Sequence, residues 1–230
     1  MITSETAVQG HRCLVIDPPV IPPSAPVVVV LHGLGTNGDD LVPLTGEMNL
    51  SGCRFVFPDA PLLLAGYPDT AFAWYDFQVH DRKEIEQSRE YLFKVFDRFT
   101  LDPNLRPEPG KAKEPCPLIV MGFSQGGVMA LESGLNYKGK LLGIVSMSGY
   151  MPDPWATLKK AEAPFETPIL LVHGTEDPVV PVEGSRKAKN ELEKAGYKPQ
   201  LREFPMPHTI TEESLEVVSQ FLRNLVSSNR

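Results

Sequence analysis

The chain has 230 residues, 42% of them hydrophobic and 22% charged, with a formal net charge of −7. That length suits one domain or at most two and allows one sizeable core; the acidic balance argues against a nucleic-acid binder, which needs clustered Lys and Arg. Cys13, Cys53 and Cys116 are far apart and show no C-x-x-C spacing, which argues against a disulfide framework or a zinc site and for thiols in a reducing compartment.

The N-terminus, MITSETAVQGHRCLVIDPPV, has neither the basic start nor the apolar stretch of a secretory signal. The longest clean apolar run, Val27 to Leu31, is too short to span a membrane. The expectation is a soluble cytoplasmic protein with no integral membrane segment. Arg12–Ile16 reads as a short strand, followed by a Pro-rich turn from Pro18 to Pro26. Val27–Leu31 is a continuous β-branched run, as in a strand covered on both faces. Asp39 to Met48 is expected to be a helix with Asp39 or Asp40 near its N-cap. Arg54–Phe57 is the next strand.

A helix is expected from Asp81 to Arg98. Asp81 and Glu84 make a capping-box-like start, and Ile85, Leu92, Val95, Phe96 and Phe99 form one apolar stripe. The Pro-rich stretch Leu101–Pro117 reads as a surface loop. Leu118–Met121 (strand), Ser124–Leu135 (helix) and Leu142–Ser146 (strand) follow. Ile169–Val172 is a strand and Glu183–Ala195 a helix stopped by Gly196. Gln200–Phe204 is a strand, and Thr211–Val226 a terminal helix with Thr211 as N-cap. Such alternation predicts a mostly parallel sheet with helices on both faces, in a single α/β domain over 1–230.

Residues 122–127 read GFSQGG, a G-x-S-x-G motif between an apolar strand and an apolar helix. In an open parallel sheet, ligands bind beyond the carboxyl ends of the strands, which is where Ser124 falls. A sharp strand-to-helix turn holds such a serine in a strained conformation, and glycines two before and two after let neighbouring backbone pass. The motif alone is weak, because a serine at a helix N-cap is ordinary. Its context strengthens it. A serine hydroxyl needs a base to take its proton, and the base needs an acid to orient it.

In α/β-hydrolases the order along the chain is Ser, then acid, then His. Of the five histidines, His11, His32 and His80 precede Ser124, and His173 precedes the acid candidates. His173 ends a buried strand, where a hydrogen-bonded structural role is expected. His208 fits the order and follows the strand Gln200–Phe204. Asp177, in HGTEDPVVP, is the favoured acid because an Asp-Pro step favours a turn. Its neighbour Glu176 stays open on pattern alone, while Glu183 fits a helix start. Backbone N–H donors to a developing oxyanion are expected from Gln125, the residue after the nucleophile, and from Leu34 in the Gly-rich turn LHGLGTNG.

These residues resemble the phospholipase/carboxylesterase family of α/β-hydrolases, which includes acyl-protein thioesterases and small carboxylesterases. The matching pieces are His32-Gly33-Leu34-Gly35, Phe57-Pro58-Asp59-Ala60-Pro61, Trp74-Tyr75-Asp76, the GFSQGG motif, the stretch His173 to Pro181, and His208. The resemblance implies an α/β-hydrolase fold, a Ser124–Asp177–His208 triad with Asp177 preferred to Glu176, and an oxyanion hole from Leu34 and Gln125. It implies no metal and no organic cofactor, and a monomer or homodimer. It also places Trp74 near the substrate. The sequence departs from the family pattern at Pro207, in the apolar run Leu62-Leu63-Leu64, and in the long stretch Leu101–Pro117.

The connection 61–80 carries Leu62–Leu64, Tyr67, Phe72, Trp74, Tyr75 and Phe77. It is expected either to pack into the core or to line an apolar pocket and move as a lid. The expected activity is hydrolysis of small-molecule or lipid carboxylic esters through an acyl-enzyme. A small-to-medium-ester carboxylesterase is the first reading. A long-chain lysophospholipase or acyl-protein thioesterase, or a silent hydrolase-fold binding protein, are the others.

Overall fold

The computed structural model describes residues 1–22, 25–101 and 115–229. The chain opens with a hairpin, β1 (Ile2–Val8) and β2 (His11–Asp17), turned at Gln9 and Gly10. Both turn residues have positive φ, 51° and 85°, the geometry of a tight two-residue hairpin turn. β1 was not expected from the sequence. Its first four residues are exposed, so no apolar run marks it.

Among the described residues, eight strands form the main sheet in the order β1-β2-β4-β3-β7-β8-β9-β10. They include β3 (Val27–Leu31), β4 (Arg54–Pro58), β7 (Leu118–Phe123), β8 (Leu141–Met147), β9 (Ile169–Gly174) and β10 (Gln200–Phe204). The β1–β2 and β2–β4 pairs are antiparallel, and the other five are parallel. The chain leaves β3 for β4 on one side and β7 for β8 on the other. β3 and β7 are therefore neighbours at the topological switch point, where connections part and leave a crevice.

The run Val27–Leu31 shows how the sequence fixes the layers. Val27, Val29 and Leu31 pack into one core, and Val28 and Val30 into the other. The first core takes its helical cover from α2 (Arg82–Thr100), α3 (Gln125–Asn136) and α5 (Glu183–Lys194). The second is covered by α1 (Leu44–Met48) and α6 (Glu212–Ser228). The stripe expected on α2, from Ile85 to Phe99, is buried as predicted. Buried Glu132 of α3 accepts from Arg82 and Arg89 of α2 and from Thr157 of α4 (Pro154–Lys159). Losing one member of such a buried charge cluster is costly, because the remaining charges stay uncompensated.

Several boundaries differ from expectation. The helix expected over 39–48 is broken at Pro43 into a 3-10 turn, Gly38–Leu41, and the short α1; its cap is Asn37, not Asp39 or Asp40. Asp81 caps α2 by accepting from Lys83 N, but Glu84 does not close a capping box. Its carboxylate accepts from Asp76 N instead. The short α4 was missed, although Asp153 as cap and Pro154 at the first helical position mark its start. Thr211 caps α6 as expected, in a reciprocal box with Ser214. Most of the predicted loop Leu101–Pro117 lies outside the described residues. No helix among the described residues is long and apolar enough to cross a membrane.

The connection 61–80 forms a small hairpin, β5 (Leu62–Leu63) with β6 (Phe72–Ala73). It divides its aromatics. Trp74 and Tyr75 are buried, while Tyr67 and Phe77 are exposed. Buried Tyr75 and exposed Phe77 both line the cavity that opens onto Ser124, so burial does not separate core from pocket in this connection.

Candidate active site

The serine turn is built by close backbone approach. A Cβ on Gly122 would lie 2.3 Å from Gly126 O, and one on Gly126 would lie 2.0 Å from Leu31 O. Side chains at either position are sterically excluded. Between them Ser124 adopts φ 57°, ψ −120°, a conformation that costs of order 1–3 kcal/mol for a non-glycine residue. The strain is held by Ser124 N–H donating to Met147 O at 2.8 Å and by Ser146 Oγ donating to Gly127 O. The hydroxyl thus projects from the carboxyl edge of β7, at the start of α3.

Two further loops from the same edge meet it. The β9 loop brings Asp177 and the β10 loop brings His208. Gly174 allows them to touch, since a Cβ there would lie 2.0 Å from Met206 O. His208 Nε2 lies 2.9 Å from Ser124 Oγ, and His208 Nδ1 lies 2.6 Å from Asp177 Oδ2. The other carboxylate oxygen, Oδ1, accepts from Val179 N and Val180 N at 2.9 and 2.8 Å. The Asp177 side chain is fully buried. Burial disfavours its charge, but hydrogen bonds from His208 and the Val180 and Val179 amides outweigh it and hold the carboxyl below its usual range. It is therefore an acceptor, so His208 Nδ1 carries the proton and Nε2 is free to accept from Ser124. Glu176 makes no such contact; its backbone N–H donates to Met206 O.

His173 has the hydrogen-bonded role expected of it and also sits beside the acid. Its Nε2 is 2.8 Å from Val180 O and 3.5 Å from Asp177 Oδ2. The Ser185 hydroxyl lies between His173 Nδ1 at 2.7 Å and Gly149 O at 2.8 Å. The imidazole thus ties β9 to the Asp177 turn and to α5.

His32 was set aside above only as the triad base, and the structure gives it a different place. Its Nδ1 is 2.7 Å from Gly33 O, and its Nε2 accepts from Ala60 N at 3.0 Å. The second contact fixes the proton on Nδ1, which donates to the Gly33 carbonyl. Thr36 Oγ1 donates to the same carbonyl. A Cβ on Gly33 would be 3.6 Å from Ser124 Cβ, so this pinned peptide lies against the nucleophile.

Both histidines are fully buried. Burial is the main cause holding each below the ordinary imidazole value. In the unfolded chain each titrates near ~6.5. Below that pH the unfolded state binds protons that the folded state refuses, so stability falls as pH drops. Each contributes up to about 1.4 kcal/mol per pH unit until its folded value is reached. Urea unfolding between about pH 7 and about pH 5 is expected to show this loss, and His32→Gln a shallower slope. A stability independent of pH across that range would refute the assignment.

A cavity of about 730 Å³ opens onto Ser124 and Gln125, with Leu34, Phe77, Val179 and Pro181 among its walls. The predicted residues Ser124, Asp177 and His208 are thus brought together, and Leu34 and Gln125 flank the nucleophile at the cavity. Trp74 does not reach the cavity, which corrects its expected contact with substrate. It is fully buried; its indole Nε1–H donates to His32 O, and its backbone N–H to Gln125 Oε1. The side chain braces the loop beside the nucleophile because the indole is walled in by Tyr91 and His32. Tyr150 and His80 line the cavity and were not foreseen. A signal for Tyr150 was its place just past the carboxyl end of β8. Among the described residues, no group of three or more His, Cys, Asp or Glu side chains is placed to hold a metal ion.

A mostly parallel sheet with a strained serine at its switch point, met by loops from the next strands, defines an α/β-hydrolase. The chain belongs to the phospholipase/carboxylesterase family, whose sequence profile matches residues 11–226. It is similar to acyl-protein thioesterase 1 of Neurospora crassa, with 30% identity over 89% of this chain and 90% of the relative. It is also similar to a probable carboxylesterase of Oryza sativa subsp. japonica, with 28% identity over 87% and 88%. Among solved structures, esterase PE8 superimposes with a TM-score of 0.78 at 29% identity, covering 92% of this chain and 97% of that one. Zea mays acyl-protein thioesterase 2 shares the fold, with a TM-score of 0.74 at 24% identity over 94% and 99%. The chain is accordingly a hydrolase of the carboxylesterase and thioesterase family.

Proposed function

We propose that this protein is a serine carboxylesterase that cleaves small to medium carboxylic esters through an acyl-enzyme. The observation that carries this reading is the unbroken relay from Ser124 Oγ to His208 to Asp177, at 2.9 and 2.6 Å. Ser124 attacks the ester carbonyl as His208 Nε2 takes its proton. The imidazolium then protonates the leaving alcohol. Water, deprotonated by the same nitrogen, attacks the acyl-enzyme and releases the acid. Asp177 holds the tautomer and stabilises the imidazolium.

The developing oxyanion is received by the backbone N–H groups of Leu34 and Gln125. Gln125 is the first residue of α3, so its N–H has no carbonyl one turn back to bond. The Leu34 N–H belongs to the same trans peptide as the Gly33 carbonyl. With that carbonyl pinned by His32 and Thr36, the N–H faces the opposite way, which supports its aim into the cavity. Trp74 and Tyr75 hold the Gln125 side chain from both ends and so steady the second donor.

Thioesters would use the same groups. A thioesterase reading is favoured by the acyl-protein thioesterase relatives, such as that of Neurospora crassa. The size of the cavity, about 730 Å³, lies within the usual range for a small-molecule site. Three buried free cysteines support a cytoplasmic setting. A monomer or homodimer formed of one domain completes the proposal.

Two measurements test it. A fluorophosphonate probe is expected to label Ser124 stoichiometrically, as mapped by peptide mass. Hydrolysis of p-nitrophenyl acetate, butyrate, octanoate and palmitate is expected to peak at butyrate or octanoate. No labelling would support a silent binding protein, and a maximum at palmitate would move the assignment to the long-chain deacylases.

A further inference from the structure

The cavity is not uniformly apolar. At the side formed by Tyr75, Tyr150 and His80 it carries two phenols and an imidazole. His80 Nε2 and Tyr150 Oη are 2.6 Å apart, a full hydrogen bond. Tyr75 Oη is 3.5 Å from Tyr150 Oη, too far for a full O–H···O bond. Tyr75 is 1% exposed, and buried hydroxyls are normally paired. Burial pushes the Tyr75 phenol far up from its ordinary value, so the group remains a donor at any working pH. Tyr75, whose hydroxyl makes only this long contact among the described residues, is one of the residues that line the cavity.

The three groups are fixed rather than adventitious. Gln125 Nε2 donates to Tyr75 O, which registers the phenol against the residue next to the nucleophile. Tyr150 is seated against α5 where a side chain would crowd it, since a Cβ on Gly184 would lie 3.0 Å from Tyr150 Cβ. His80 is tied down by its backbone N–H donating to Asp76 O at 2.9 Å and by its ring bond to Tyr150.

We propose that this polar side recognises a second oxygen of the substrate, a carbonyl, ether or hydroxyl oxygen remote from the scissile bond. Such an oxygen accepts from the Tyr75 hydroxyl, and from that of Tyr150 when His80 Nε2–H donates to the Tyr150 oxygen, and so completes the bonding that the two phenols cannot complete with each other. The substrate class becomes oxygenated esters rather than plain hydrocarbon esters. This rests on the esterase reading above and adds the specificity to it.

The test compares matched pairs of equal chain length by kcat/KM. In the acyl half, p-nitrophenyl heptanoate is set against the p-nitrophenyl ester of monomethyl glutarate, following p-nitrophenol release. In the alcohol half, hexyl butyrate is set against diethylene glycol monobutyrate. The wild type is expected to prefer the oxygenated member of at least one pair by about tenfold, the worth of one well-made hydrogen bond. Tyr150→Phe and Tyr75→Phe are each expected to bring that ratio to within about twofold of unity. Tyr150 is only half-buried, so its variant answers even if the buried Tyr75 variant folds poorly. Ratios near unity in both wild-type pairs, or a preference that survives in the Phe variants, would overturn the proposal. Turnover of the hydrocarbon esters without preference would leave the esterase reading standing. Absence of turnover on every ester would remove both.

Discussion

Replacing Ser124 by alanine is expected to lower kcat/KM on p-nitrophenyl butyrate by about 10⁴-fold or more, because the oxyanion donors and substrate binding alone retain only a residual rate. Labelling by a fluorophosphonate is expected to vanish with it. The fold should survive. Alanine keeps the Cβ that already occupies the strained φ 57°, and the lost hydroxyl bonded one part-buried partner, His208 Nε2. Circular dichroism and a thermal midpoint near that of the wild type separate loss of the nucleophile from loss of structure. A variant that hydrolyses the ester at the wild-type rate would remove Ser124 from the chemistry.

Asp177→Asn is expected to cost about 10⁴-fold in kcat, a magnitude known for the equivalent change in another serine hydrolase. The local geometry explains why here. Oδ1 of Asp177 accepts two backbone N–H groups, from Val179 and Val180. In the asparagine variant the carbonyl oxygen must stay on those donors, which turns the NH₂ toward His208 Nδ1. That nitrogen then becomes an acceptor and the proton moves to Nε2, where it blocks the proton from Ser124. Glu176→Gln is the matched control, and its activity is expected to stay within about twofold, as for most surface changes. Loss of rate in the Glu176 variant with none in the Asp177 variant would reverse the assignment.

The proposed triad was legible because its logic is one of order and edge. Ser124, Asp177 and His208 each follow a strand, and a parallel sheet puts the ends of its strands at one edge. The central strands were legible because Val27–Leu31 and Leu118–Met121 are buried on both faces and carry no polar interruption. What stayed hidden depends on contacts between distant segments. Trp74 reads as a pocket aromatic until the His32 carbonyl is seen to hold its indole. Glu84 reads as a capping partner until the Asp76 amide arrives to claim it. The edge strand Ile2–Val8 exposes most of its residues, so it lacks the apolar signal that identifies inner strands. Tyr150 and His80 lie 70 positions apart in the chain, and no local pattern joins them.

The serine turn also has a consequence for the order in which the protein comes into being. Its second glycine, Gly126, answers to Leu31 O, which precedes the motif. The Ser124 amide and the Gly127 carbonyl are held by Met147 O and Ser146 Oγ, which follow it. A nascent chain that has emerged only as far as Asn136 contains the whole GFSQGG motif and the helix behind it, yet lacks the later clamps. Emergence through Met147 supplies them, and the acid and base arrive still later, at 177 and 208. The contacts that hold the strained serine are thus all available in the growing chain before Asp177 and His208, the groups proposed to arm it.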